Sequence, residues 1–101
     1  MPLGDLFEQN RMVAFVTRSL DGDYGRFSTR LLRALDKTSL VYVTVDVTQL
    51  PLYRQTLARI SGCPLFPQLY VHERFVGGSE VAVEMVEAGV LHRLFSSPTG
   101  G

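Results

Sequence analysis

The stretch RQTLARISGCPLFPQLYVHERFVGGSE, residues 54–80, decides the fold. It starts inside a helical pattern, stops at Gly62 and passes Pro64 and Pro67. Two short apolar runs follow and end at Gly77-Gly78. The runs PQLYV (67–71) and RFV (74–76) are dense in aromatic and β-branched residues and read as strands. Only His72 and Glu73 separate them, which predicts a β-hairpin. His-Glu is a poor pair for a tight turn, because such turns favour Asn-Gly or Asp-Gly, so a longer turn is expected.

Working outward, Ser79 reads as the N-cap of a helix over EVAVEMVEA (80–88). Gly89 reads as its terminator, and VLHRLF (90–95) as one more helical turn. Upstream, Pro51 suits a helix start and LYRQTLARIS (52–61) runs to Gly62. SLVYVTVDV (39–47) reads as a strand. Residues 27–36 read as a helix whose apolar stripe is Phe27, Leu31, Leu32 and Leu35, with Arg26, Arg30 and Arg33 on another face. MVAFVT (12–17) is a nearly continuous apolar run, the pattern of a strand buried on both sides. RSLDGDYG (18–25) is a polar loop, and LGDLFEQ (3–9) a short leading helix. The order (α)-β-α-β-α-β-β-α predicts an α/β fold with a four-stranded mixed sheet and helices on both faces. One domain is expected over residues 1–101, with 95–101 as a flexible tail.

Composition narrows the function. Ten basic and ten acidic residues give a net charge of zero, which argues against nucleic acid as a partner. No segment approaches the ~18 apolar residues of a membrane span, and MPLGDLFEQNR lacks the form of a signal peptide. A single cysteine, Cys63, cannot form an internal disulfide, so a reducing, cytoplasmic setting is expected. His72 and His92 lack metal-ligand spacing and read as surface polar residues; no metal site is expected. DGDYG has the look of a calcium-loop opening, but the required glutamate would fall on Leu32.

The order of elements, with PQLYV followed by Gly-Gly, resembles the thioredoxin fold in its glutaredoxin form, and monothiol glutaredoxins most closely. The resemblance spans roughly residues 11–95. In that family a Cys-Gly-Phe-Ser motif follows the first strand. Here GRFS (25–28) falls on it: Phe27 and Ser28 match, but Gly25 stands where the catalytic cysteine belongs. Thiol–disulfide exchange needs a thiolate, which a helix start favours, and glycine supplies no sulfur. Ser28 has no apparent base to activate it. The family's [2Fe–2S] clusters use the same cysteine, so a cluster is not expected.

The resemblance further implies a glutathione groove. Pro67 falls on the family's cis-proline, which would turn the backbone of Phe66 toward an extended peptide ligand; otherwise it is a plain strand-start proline. Arg54 matches an arginine that holds a glutathione carboxylate; otherwise it is a solvated helix residue. Gly78, Ser79 and Glu80 fall where a helix start receives the γ-glutamyl end. The family's lysine after the first strand is Thr17 here, and the side chain of Arg18 should point to the other face. Tyr24, Phe27 and Phe66 are candidates for an apolar rim, with core packing as the alternative. The N–H groups after Gly25 form either an anion site near Arg26 and Arg30 or a hydrated helix end capped by Asp23.

The reading that follows is a degenerate, non-catalytic glutaredoxin-like module. Its candidate ligand is glutathione, with a protein partner or a small thiol peptide on the same groove, and it is expected as a monomer or weak homodimer. The alternative is a glutathione-dependent redox protein or [2Fe–2S] carrier using Cys63, whose ordinary role would be that of a small hydrophobe. A glutathione sensor or carrier is a third reading.

Overall fold

The computed structural model describes residues 2–97. Its elements are α1 (Leu3–Gln9), β1 (Met12–Val16), α2 (Arg26–Asp36), β2 (Val43–Asp46), α3 (Pro51–Ser61), β3 (Gln68–Val71), β4 (Arg74–Gly77), α4 (Ser79–Glu87) and α5 (Val90–Ser96). The strands form a four-stranded sheet in the order β2-β1-β3-β4. β1 runs parallel to β2 and antiparallel to β3, and β3 runs antiparallel to β4.

Alternation along the two central strands divides the core. Met12, Ala14 and Val16 of β1 join Leu69 and Val71 of β3 on one face, under Leu31 and Leu35 of α2, Ala82 of α4 and Leu91 of α5. Val13, Phe15 and Tyr70 point to the other face and meet Leu6 of α1 and Leu57 of α3. Phe7 and Phe75 pack against Tyr70 there, with centroids 5.3 Å and 5.6 Å away. All five β1 residues are buried, as their unbroken apolar run requires of a central strand.

Several expectations change in detail. The hairpin turn is tight: Val71 pairs with Arg74, and His72 and Glu73 take φ of 51° and 67°. Two positive φ values are those of a type I′ turn, which the strand twist favours even without Asn-Gly. His72 is held from outside, its N–H donating to the Arg11 carbonyl at 2.8 Å and its Nε2 lying 3.1 Å from the Phe95 carbonyl. His92 is exposed as expected, and its Nε2 sits 3.1 Å from the Thr38 carbonyl.

β2 is shorter than SLVYVTVDV. Ser39 takes φ 62°, Thr38 Oγ1 accepts from the Leu40 N–H at 3.0 Å, and the chain is still turning there. Tyr42 donates to Asp36 Oδ1 at 2.7 Å, and burial together with that carboxylate pushes its phenol up to about 12. The buried stripe of α2 is Ser28, Leu31, Ala34 and Leu35, whereas Phe27, on the same side but in the first turn, is 49% exposed. Ser79 is the first residue of α4 and Gly78 its N-cap, with no side-chain cap. Residues 95 and 96 of the expected tail are helical in α5; residues 98–101 lie outside the described residues. No described helix is long and apolar enough to cross a membrane.

Candidate functional site

A groove of about 320 Å³ opens between the start of α2, the loop before β3 and the start of α4. Phe66, Pro67, Gly78, Ser79 and Glu80 line it together, with Cys63 and Phe27 beside them. The Phe66–Pro67 bond is cis. Among the described residues the backbone of Phe66 makes no hydrogen bond, which leaves a donor and an acceptor for another molecule. The first helical bond of α4 runs from the Ala82 N–H to the Gly78 carbonyl, so the N–H groups of Ser79, Glu80 and Val81 precede the ladder. All three residues line the groove, and a helix start of this kind favours a carboxylate.

This wall is tightly built. A Cβ at Gly78 would stand 3.4 Å from the Pro67 carbonyl oxygen. Gly77 has φ +154°, and a Cβ there would stand 2.7 Å from Val81 Cβ. Beneath it, fully buried Gln68 holds the loop. Its Nε2 donates to the Cys63 carbonyl at 2.8 Å and the Leu65 carbonyl at 3.0 Å, and its Oε1 accepts from Tyr70 Oη at 2.9 Å. Burial raises the Tyr70 phenol. Sequence reasoning missed Gln68; the available signal was a polar residue at an inward strand position between Pro67 and Leu69.

The opposite wall starts at Gly25. The loop before it folds back on itself, with the Ser19 N–H donating to the Asp23 carbonyl at 2.8 Å and the Gly25 N–H to the Thr17 carbonyl at 3.1 Å. Gly25 is thereby the N-cap of α2, without any side-chain cap, so Asp23 does not cap the helix. Ser28 Oγ accepts from the Thr17 N–H at 3.1 Å inside the protein; it fastens β1 to α2. Of the three candidate rim aromatics, Phe27 and Phe66 line the groove, and Tyr24 instead lies 4.0 Å from the Arg18 guanidinium. Arg18 turns away to Asp46, with Nε to Oδ2 at 3.1 Å. Arg54 also lies outside the groove lining, where its guanidinium donates to the Thr48 carbonyl at 3.0 Å. The groove lining contains no cation, and its negative group is Glu80.

The family model for glutaredoxin matches residues 15–76. This chain belongs to the glutaredoxin family. It is 29% identical over 87 residues to probable monothiol glutaredoxin 2 of Rickettsia felis, covering 86% of this chain and 84% of that protein. It is 37% identical over 65 residues to probable monothiol glutaredoxin GrlA of Legionella pneumophila, covering 64% of this chain and 73% of the relative. Among solved structures, reduced apo GrxS14 of poplar superposes with a TM-score of 0.75 at 28% identity, covering 90% of this chain and 84% of that one. The glutathione complex of buckwheat glutaredoxin reaches a TM-score of 0.79 at 18% identity over 93% and 84% of the two chains, a likeness of fold. The mixed sheet with helices on both faces is thus the thioredoxin-like fold of glutaredoxins.

Gly25 carries no donor atom at the helix start, and among the described residues no three His, Cys, Asp or Glu side chains converge on a metal position. One half of the groove wall carries backbone groups without a partner among the described residues. Phe66 offers free backbone groups, and the start of α4 offers N–H groups.

Proposed function

We propose that this glutaredoxin is a non-catalytic binding module of one domain, acting in a reducing, cytoplasmic setting. Its groove takes glutathione, or an extended peptide of similar backbone presented by a protein partner. The reading is carried by one observation: the ligand-holding wall at Pro67, Gly78 and Ser79 is closely built, while the facing helix begins at Gly25 and offers no sulfur. The free backbone of Phe66 would pair with the ligand's main chain in the manner of an added strand. The first N–H groups of α4 would receive its carboxylate. Phe27, Leu65 and Val81 would cover its apolar part.

The test is calorimetric titration of reduced and oxidised glutathione, beside an assay of glutathione-dependent disulfide exchange. Heat of binding without turnover is the expected pair of results. No heat at about 10 mM ligand, a concentration that would detect even ~1 mM affinity, removes glutathione from the proposal. A redox enzyme is the competing reading, because Cys63 lines the same groove. Turnover that disappears in Cys63→Ser would establish it in place of the binding module.

A further inference from the structure

A second groove, of about 440 Å³, lies between α2 and α4, away from the ligand groove. Ala34, Val83 and Val86 give it an apolar lining. Along α2 it is bordered by Arg26, Arg30, Arg33 and Lys37. Those four positions fall within an arc of about 60° on a regular helix. On α4, Glu80, Glu84 and Glu87 share a similarly narrow, exposed face. A positive stripe and a negative stripe therefore run side by side.

The stripes have the same spacing. Arg26, Arg30 and Arg33 follow each other by four and then three residues, and so do Glu80, Glu84 and Glu87. On each helix the steps are about 6 Å and about 4.5 Å. The two helices also point the same way: Phe27 of α2 and Ser79 of α4 both line the ligand groove, and both helices run from there past the second groove. Among the described residues none of these six side chains makes an ion pair, so the stripes do not neutralise one another within the chain.

We propose that this face joins two copies of the chain about a two-fold axis lying along the groove. Rotation about that axis carries α2 of one copy over α4 of the other and keeps each residue at its own height. Arg26 then opposes Glu80, Arg30 opposes Glu84, and Arg33 opposes Glu87, each pair occurring twice. A two-fold axis across the groove would instead lay α2 on α2 and bring like charges together, so the charge pattern selects the orientation as well as the partner. The net charge of zero leaves no overall repulsion between copies. The ends of both stripes nearest the ligand groove, Arg26 and Glu80, bring the interface to its edge. The inference stands whether or not glutathione occupies that groove.

Sedimentation equilibrium of the whole chain tests it. Dimer is expected near 1 mM protein in ~20 mM salt, and monomer in ~500 mM salt, where exposed charge pairs are screened. The double variants R30E/R33E and E84R/E87R should each be monomeric, with a dissociation constant raised at least tenfold. An equimolar mixture of the two should dimerise again, because both of its interfaces regain opposite charges. R59E/R74E changes the net charge as much as R30E/R33E does, but on other elements, and should dimerise like wild type. Circular dichroism checks that each variant is folded. A wild type that stays monomeric at low salt, a dimer indifferent to the swaps, or an R59E/R74E as monomeric as R30E/R33E would each overturn the proposal.

Discussion

Helices α2 and α4 both begin at a glycine with extended backbone and no side-chain cap, Gly25 at φ −60°, ψ 161° and Gly78 at φ −91°, ψ −158°. Their surroundings differ. At the start of α4, a Cβ on Gly78 would touch the Pro67 carbonyl, and one on Gly77 would collide with Val81. At the start of α2, a Cβ on Gly25 would meet only the Thr17 carbonyl oxygen, at an ordinary 3.8 Å. The fold therefore demands glycine at Gly77, just before the α4 cap, whereas a side chain would fit at the cap Gly25 and would be close but in ordinary contact at the cap Gly78. A side chain at Gly25 meets no steric bar.

Gly25→Cys tests that contrast with the largest expected effect. The backbone there is open to any L-residue, and the new thiol would sit at the N-terminus of α2. A thiol of pKa about 8.5 is only about 3% thiolate at neutral pH, whereas one lowered to about 6 at a helix start is about 90% ionised, roughly a thirtyfold gain in nucleophile. The variant should fold normally and raise glutathione-dependent disulfide exchange from background to a clear rate. A folded but inert variant would mean that the groove no longer holds glutathione in line with α2.

Gly77→Ala attacks the same comparison from the end of β4, one residue before the α4 cap. It combines positive φ with a Cβ 2.7 Å from Val81 Cβ, so something must move. Strain and overpacking together should cost about 2–4 kcal/mol in urea unfolding. Gly25→Ala should stay within about 1 kcal/mol of wild type, because a poorer N-cap is offset by a stiffer unfolded chain. Equal losses at the two sites would erase the distinction.

Gln68→Leu asks how far the α4-side wall depends on what lies beneath it. The substitution leaves the Cys63 and Leu65 carbonyls without their amide donor and Tyr70 Oη without its shorter acceptor. A loss of about 2–3 kcal/mol is expected, together with faster labelling of Cys63 by a thiol reagent as its loop loosens. Unchanged labelling would place the rigidity of the loop in Pro64 and Pro67 instead.

The same contrast explains what the sequence discloses. The hairpin, Gly77-Gly78 and the two-sided burial of MVAFV are legible because alternation, turn glycines and unbroken apolar runs are local signals. The clustering of Phe66, Pro67, Gly78, Ser79 and Glu80 is legible through family resemblance, since its parts lie within fifteen residues of one another. Tertiary hydrogen bonds are not legible in this way. The tight turn at His72-Glu73 depends on carbonyls of Arg11 and Phe95, and the early end of β2 depends on Thr38 and Ser39. Arg54 has the right identity and helix, but its guanidinium is held by the Thr48 carbonyl, a partner that residue type alone does not announce.

The smallest expected effect concerns the chain just before Gly25. Asp46 accepts from Thr48 Oγ1 at 2.6 Å and the Thr48 N–H at 2.9 Å, and faces Arg18 Nε at 3.1 Å. Those Thr48 donors, and then Arg18, hold its carboxyl below the usual value of 3.8. A carboxyl depressed in the folded state contributes stability above its unfolded pKa of about 3.9 and loses it as pH falls through the lower folded value. Asp46→Asn should therefore flatten the acid limb of stability below about pH 4 while costing under about 1 kcal/mol at pH 7, since the pair is partly exposed. Asp21, also lowered, chiefly by the Ser19 hydroxyl, remains in both proteins, so the difference between the two curves isolates Asp46. If that difference is flat with pH, the β1–α2 loop is fixed by its backbone bonds and not by Arg18–Asp46, and the α2 side of the groove owes as little to charge as the α4 side does.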